Sequence, residues 1–142
     1  MPSLTSVVPV TSGLLHECLT FDHVAVGGNA ERRRELLSAA DEGRMRVATL
    51  DGRAVGFSVV ASWFFDAPFL ELLYVDPAMR ERKVGSRLME DFEQAHRSKV
   101  FTSTNLSNAR MQALLRGRRW TPCGMLNGLD EGDPEIFFMK AI

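Results

Sequence analysis

Cysteine and histidine are scarce in this chain, with two cysteines, Cys18 and Cys123, and three histidines, His16, His23 and His96, among 142 residues. The cysteines stand far apart without metal-ligand spacing. Nothing suggests a disulfide framework, and a reducing compartment, by default the cytoplasm, is expected. The histidines form no motif with acidic neighbours, so no metal is expected. An excess of one charge sign is also missing. The formal net charge of −1 argues against a nucleic-acid binder, which needs a basic balance. No run approaches the roughly 18 apolar residues that a membrane span requires. The first residues lack the basic start and apolar core of a secretion signal, so the sequon Asn105-Leu106-Ser107 is read as a chance match. Internal repeats, linkers and low-complexity tracts are absent as well.

What is present is the composition of a soluble globular protein, 45% apolar and 25% charged, in a length that suits one domain over residues 1–142. Residues 1–10 alternate weakly and suggest a first strand or a loose arm. Helical character runs from about 12 to 26 and breaks at Gly27-Gly28. Asn29 can cap a helix through about Glu42, with Gly43 as its stop. The triplet Arg32-Arg33-Arg34 reads as that helix's solvated face. Met45–Leu50 and Ala54–Phe64 read as strands joined by the hairpin turn Asp51-Gly52. Asp66-Ala67-Pro68 reads as a second turn and Phe69–Val75 as a third strand of the meander, which Pro77 terminates. Val84, Leu88, Phe92 and Ala95 form one stripe of an amphipathic helix. Val100–Thr104 is a short strand. Ser107 or Asn108 then caps a helix carrying Met111, Leu114 and Leu115 inward. Trp120–Leu126 and Glu135–Met139 close the chain as strands around the polar loop 127–134. The order predicts an α+β or mixed α/β fold around one mixed sheet, with a parallel crossover over residues 69–104.

The richest stretch is Leu72 to Met89. An apolar strand ends at Asp76-Pro77, a short basic loop follows, and a helix opens near Gly85. That order turns backbone N–H groups and the positive end of a helix dipole toward one point, which suits a phosphate or pyrophosphate. Arg80, Arg82, Lys83 and Arg87 would surround it with cations. An ordinary strand–turn–helix corner with a solvated basic turn has the same spacing, and spacing alone does not separate the two.

Residues Val75 to Ser86 resemble the acetyl-CoA loop of the GNAT superfamily of N-acetyltransferases, whose pattern there is Gln/Arg-x-x-Gly-x-Gly/Ala. Arg80 and Gly85 match its first and last positions, while Lys83 replaces the middle glycine. Phe101 to Asn108 resembles the strand and cap before the family's next helix. Met111, Leu114, Leu115 and Trp120 fall where the family commonly has small, apolar, Tyr and Phe residues. The likeness spans residues from about 30 to 142. It implies a GNAT-like central sheet, mixed and mostly antiparallel, flanked by helices. It also implies acetyl transfer from acetyl-CoA to an amine by direct attack in a ternary complex. A non-catalytic acyl-CoA-binding or regulatory module on the same scaffold is the alternative. The expected partner is a small-molecule or peptide amine, with no nucleic acid and no membrane, and a homodimer is open.

Site roles follow from the resemblance. Main chain at Leu73, Tyr74 and Val75 would hold the thioester carbonyl and pair with pantetheine amides. Arg80, Arg82, Lys83, Val84, Gly85 and Ser86 would take the pyrophosphate. Asn108 either touches the pantetheine arm or only caps its helix. Glu71, on the strand leading to the loop amid Leu70, Leu72 and Leu73, is the candidate general base, expected to have a raised pKa. An outward-facing glutamate is the other reading, and water chains are the alternative base. Two departures bear on activity. If Lys83 takes a left-handed conformation, the cost is roughly 1–2 kcal/mol. Leu115 stands where many relatives carry a Tyr that protonates the thiolate. With a thiol pKa near 8.5, forgoing that acid costs only about 2 kcal/mol at neutral pH. Trp63, Phe64 and Phe65 read as core before substrate wall, Asp130, Glu131 and Asp133 as a solvated turn before an attractor of a cationic amine, and Cys123 as a small buried hydrophobe.

Overall fold

A computed structural model describes residues 5–22, 27–80 and 82–142, apart from the side chain of Ser62. The expected helical extension through residue 26, and Glu81 of the basic loop, lie outside the described residues. The elements are β1 (Ser6–Pro9), α1 (Ser12–Phe21), α2 (Ala30–Asp41), β2 (Met45–Leu50), β3 (Arg53–Phe64), β4 (Ala67–Val75), α3 (Val84–Gln94), β5 (Val100–Asn105), α4 (Ala109–Gly117), β6 (Thr121–Leu126) and β7 (Glu135–Lys140). The strands run in the order β1-β2-β3-β4-β5-β7-β6. Pairing is antiparallel for β1–β2, β2–β3, β5–β7 and β6–β7, and parallel for β4–β5. This is the mixed, mostly antiparallel sheet expected, with the parallel crossover in place.

Contacts divide the chain into two compact units, Met1–Val60 with Leu72–Asp91, and Ala61–Glu71 with Phe92–Ile142. In the first unit, Asn29 Oδ1 accepts from Arg32 N and opens α2 as a cap. Gly43, at φ +73°, stops that helix in the left-handed region that glycine enters freely. Asp51 and Gly52 turn the β2–β3 hairpin at φ +53° and +79°. Two cores line opposite faces of β4. Leu72 and Tyr74 pack against Cys18, Leu36, Val47 and Phe57. Leu73 and Val75 pack with Ala48, Val55, Val84 and Leu88. That split is the two-residue alternation of a strand.

In the second unit, Phe64, Phe69, Phe101 and Phe137 form an aromatic cluster with ring centroids 4.8–6.2 Å apart. Leu115, Trp120 and Phe138 are buried. Glu93, near the end of α3, accepts from Arg118, Trp120 Nε1 and Lys140 Nζ.

Several expectations need correction. The second hairpin turns at Phe65 and Asp66, both at positive φ (54° and 61°), and Ala67 and Pro68 already belong to β4. A tight two-residue hairpin favours positive φ at both positions, and without a glycine only Asp66 marks the turn locally. Trp63 and Phe65 are exposed at 65% and 89%, while Phe64 between them packs on Phe69, Phe101 and Phe137. Ala95 is exposed beyond the end of α3. Cys123 is exposed, sitting at the register shift of β6, the edge strand of the order. Arg32 is not part of a solvated face. It pairs with buried Asp22. The acidic loop is more than a solvated turn: Asp130 accepts from Asn105 Nδ2, and Asp133 accepts from the Ser107 amide and hydroxyl.

Candidate functional site

Strand β4 ends where the Asp76 amide donates to Val55 O at 2.9 Å. Asp76 then uses Oδ1 to accept from Ala78 N and caps the single 3-10 turn Pro77–Met79. Proline suits that turn because its missing N–H needs no partner there. The chain emerges into exposed Arg80, Arg82 and Lys83. Lys83 adopts φ +60°, the conformation for which glycine is the usual choice. That geometry reverses the chain so that α3 starts at Val84, and the first intrahelical donor is Arg87 N to Lys83 O at 3.1 Å. The amides of Val84, Gly85 and Ser86 precede it and face the loop from the positive end of the helix.

The helix is held along its length. Val84, Leu88 and Met89 are buried. Asp91 receives a two-pronged ion pair from Arg46, at 2.7 and 3.1 Å. Arg87 was expected among the loop cations. Its guanidinium instead bonds Glu90 at 3.2 Å and the Thr5 carbonyl at 3.3 Å, because a residue three along the helix is the nearer partner.

Pairing between β4 and β5 covers Phe69 with Phe101 and Leu70 with Thr102, reinforced by Thr102 Oγ1 donating to Leu70 O at 2.8 Å. Glu71 through Val75 lie beyond the last pair. Glu71 is half-buried. The side chains of Leu73, Tyr74 and Val75 are committed to the two cores, so it is main chain that this segment can offer a ligand. Asn108 caps α4, its Oδ1 accepting from Met111 N at 3.0 Å. Leu115 is fully buried. Among the described residues, no cluster of three His, Cys, Asp or Glu is placed to hold a metal ion. No described helix is long and apolar enough to cross a membrane.

One feature of this region escaped the sequence. Asp22 is fully buried at the end of α1 and pairs with Arg32, whose guanidinium lies over the rings of Phe57 and Tyr74. A charge ten residues from its partner, across a helix end, carries no local signature.

The sequence matches the acetyltransferase (GNAT) family over residues 14–118. The chain belongs to that family. A GNAT-family acetyltransferase of Bacillus cereus ATCC 10987 is 34% identical, covers 97% of both chains and superposes with a TM-score of 0.87. The ribosomal-protein-S18-alanine N-acetyltransferase of Escherichia coli is 16% identical, with 98% of this chain and 94% of that one covered and a TM-score of 0.75. A Bacillus anthracis str. Ames protein solved in complex with acetyl coenzyme A is 18% identical. It covers 69% of this chain and 61% of its own, with a TM-score of 0.61. The latter two establish likeness of fold. No curated protein matches the chain. Within this GNAT fold, Lys83 holds a glycine-like conformation without being glycine, and Leu115 is core.

Proposed function

We propose that this GNAT-family chain is one catalytic domain that transfers an acetyl group from acetyl-CoA to an amine, in the cytoplasm. The observation that carries the proposal is the left-handed Lys83 at the start of α3, which leaves the first amides of the helix facing a loop that carries the exposed Arg80, Arg82 and Lys83. That donor set fits a diphosphate: several N–H groups and three cations within one short loop. The B. anthracis protein of the same fold was solved with acetyl coenzyme A, which supports the same donor here.

Bound there, acetyl-CoA supplies a thioester whose acyl carbon is open to attack by an amine. Main chain at Leu73 to Val75 would orient the pantetheine arm and donate to the oxygen that gains charge. Asn108 is offered for the pantetheine arm through its side-chain nitrogen, its oxygen being used by the cap. An alkylamine with a pKa near 10.4 is neutral in about one molecule in two thousand at pH 7, so accepting its proton is worth roughly 4–5 kcal/mol. Glu71, half-buried on the same strand just before this segment, is the group proposed to accept it.

The buried Leu115 favours a second reading, an acyl-CoA-binding module without turnover, since no phenol is available there to the thiolate. Release of CoA thiol across an amine panel separates the readings, and release with any amine supports the enzyme. Calorimetric titration with CoA tests the site itself. Gly85→Asp should abolish binding by adding bulk and negative charge where backbone must approach phosphate. Unchanged affinity would remove the loop from contention.

A further inference from the structure

Of the basic triplet that opens α2, Arg33 and Arg34 are solvated and Arg32 is not. Its side chain is 14% exposed, and its Nε donates at 2.9 Å to Oδ2 of the fully buried Asp22. Its Cζ lies 6.0 Å from the ring centre of Phe57 and 5.7 Å from that of Tyr74. The guanidinium plane is therefore fixed on one edge by a carboxylate and across its face by two rings.

Five N–H groups belong to an arginine, and Asp22 receives the one on Nε. The Nη1 and Nη2 groups make no hydrogen bond to a described residue. Among the described residues, Ser58 Oγ is the one buried side-chain polar atom without a partner, so both Arg32 terminal nitrogens reach solvent. A rigid pair of donors on a half-desolvated plane matches the two oxygens of a carboxylate.

Position gives that match a use. Tyr74 is the middle residue of the segment whose main chain is proposed to hold the acyl group. Its ring faces the α1–α2 core, while Leu73 and Val75 face α3. Val84 and Leu88 of α3 fill that second face. Arg32 lies over the Tyr74 ring, on the side of the strand that α3 does not cover.

We infer that Arg32 binds a carboxylate on the acceptor, so that the acceptor class is an amine bearing a carboxylate, of the amino-acid kind. The inference rests on the function proposed above. Its test separates the two. Protein is titrated calorimetrically with L-leucine, L-methionine and L-phenylalanine and with their carboxamides, both free and saturated with CoA, which cannot acylate them. Glycyl-leucine, whose carboxylate lies one residue further from the amine, distinguishes a peptide from a free amino acid. The acids should bind about tenfold tighter than the amides. Arg32→Lys keeps the charge and loses the fork, so it should shrink that preference to about threefold or less while leaving CoA affinity unchanged. If Arg32→Lys does not fold, Asp22→Asn with Arg32→Gln removes both charges together and avoids an orphaned buried carboxylate. Equal binding of acid and amide, no binding of any acid, or a preference that survives the variant would overturn the inference. Failure of CoA itself to bind would instead count against the proposed function.

Discussion

A Cβ on Gly56 would stand 2.9 Å from the carbonyl oxygen of Tyr74, with Val84 Cγ1 at 3.0 Å and Leu88 Cδ1 at 3.2 Å. Glycine at this point in β3 lets α3 lie directly on the strands that deliver the loop. Gly56→Ala has backbone on one side and two buried helix side chains on the other, so something must shift. A loss of roughly 1–3 kcal/mol is expected in urea unfolding, together with weaker CoA binding because the start of α3 moves. An alanine variant of wild-type stability would show that α3 is not seated by this contact.

Lys83→Gly should stabilise the fold. A left-handed L residue costs about 1–2 kcal/mol, and glycine relieves it, less the roughly 0.4–1 kcal/mol that glycine adds to the disorder of the unfolded chain. A net gain of up to about 1.6 kcal/mol should appear as a raised urea midpoint. CoA affinity should fall by less than about tenfold, because the amides stay in place and one exposed cation is lost. A larger fall would make the Lys83 ammonium a main phosphate ligand.

Leu115→Tyr would add a hydroxyl at a fully buried position. Overpacking and an unpartnered polar group should each cost about 1–3 kcal/mol, seen as a lower melting temperature. CoA release should not accelerate, since a thiolate leaves adequately without an acid. A rate gain well above tenfold would mean that leaving-group protonation limits the wild type.

Glu93→Gln tests the polar hub of the second unit. Burial by itself would raise the Glu93 pKa, but hydrogen bonds from Arg118, Trp120 and Lys140 outweigh it and hold the carboxyl below its ordinary value. Its stabilisation is therefore complete above the unfolded value near 4.3 and is lost as pH falls through the lower folded value. At pH 7 the variant should lose about 3–5 kcal/mol, since Arg118 and Lys140 are left without their carboxylate. The gap from wild type should narrow below about pH 4. A gap that stays constant with pH would refute the charged state of the hub.

Residues with short-range consequences were legible in the sequence. Asn29 and Asn108 cap helices with their own side chains, Asp51-Gly52 turns a hairpin, and Val84, Leu88 and Phe92 mark one helix face. Each effect acts within about four residues, the reach of a cap, a turn or a helical repeat. The joint from β4 through the basic loop to α3 is local in the same sense, and for that reason the candidate site could be read before any fold was known.

Only the tertiary structure decided how distant residues meet. Glu93 gathers donors 25 to 47 positions away, Asp22 draws Arg32 out of a triplet that looked uniformly solvated, and Leu115 is sealed in a core. Exposure of Cys123 and of Trp63 likewise follows from which strand is an edge and where the hairpin tip projects. Caps and turns are set by hydrogen bonds that a few neighbouring residues complete among themselves. The burial or pairing of a charge depends on desolvation by chain brought from elsewhere, and no local pattern of residues encodes which chain that will be.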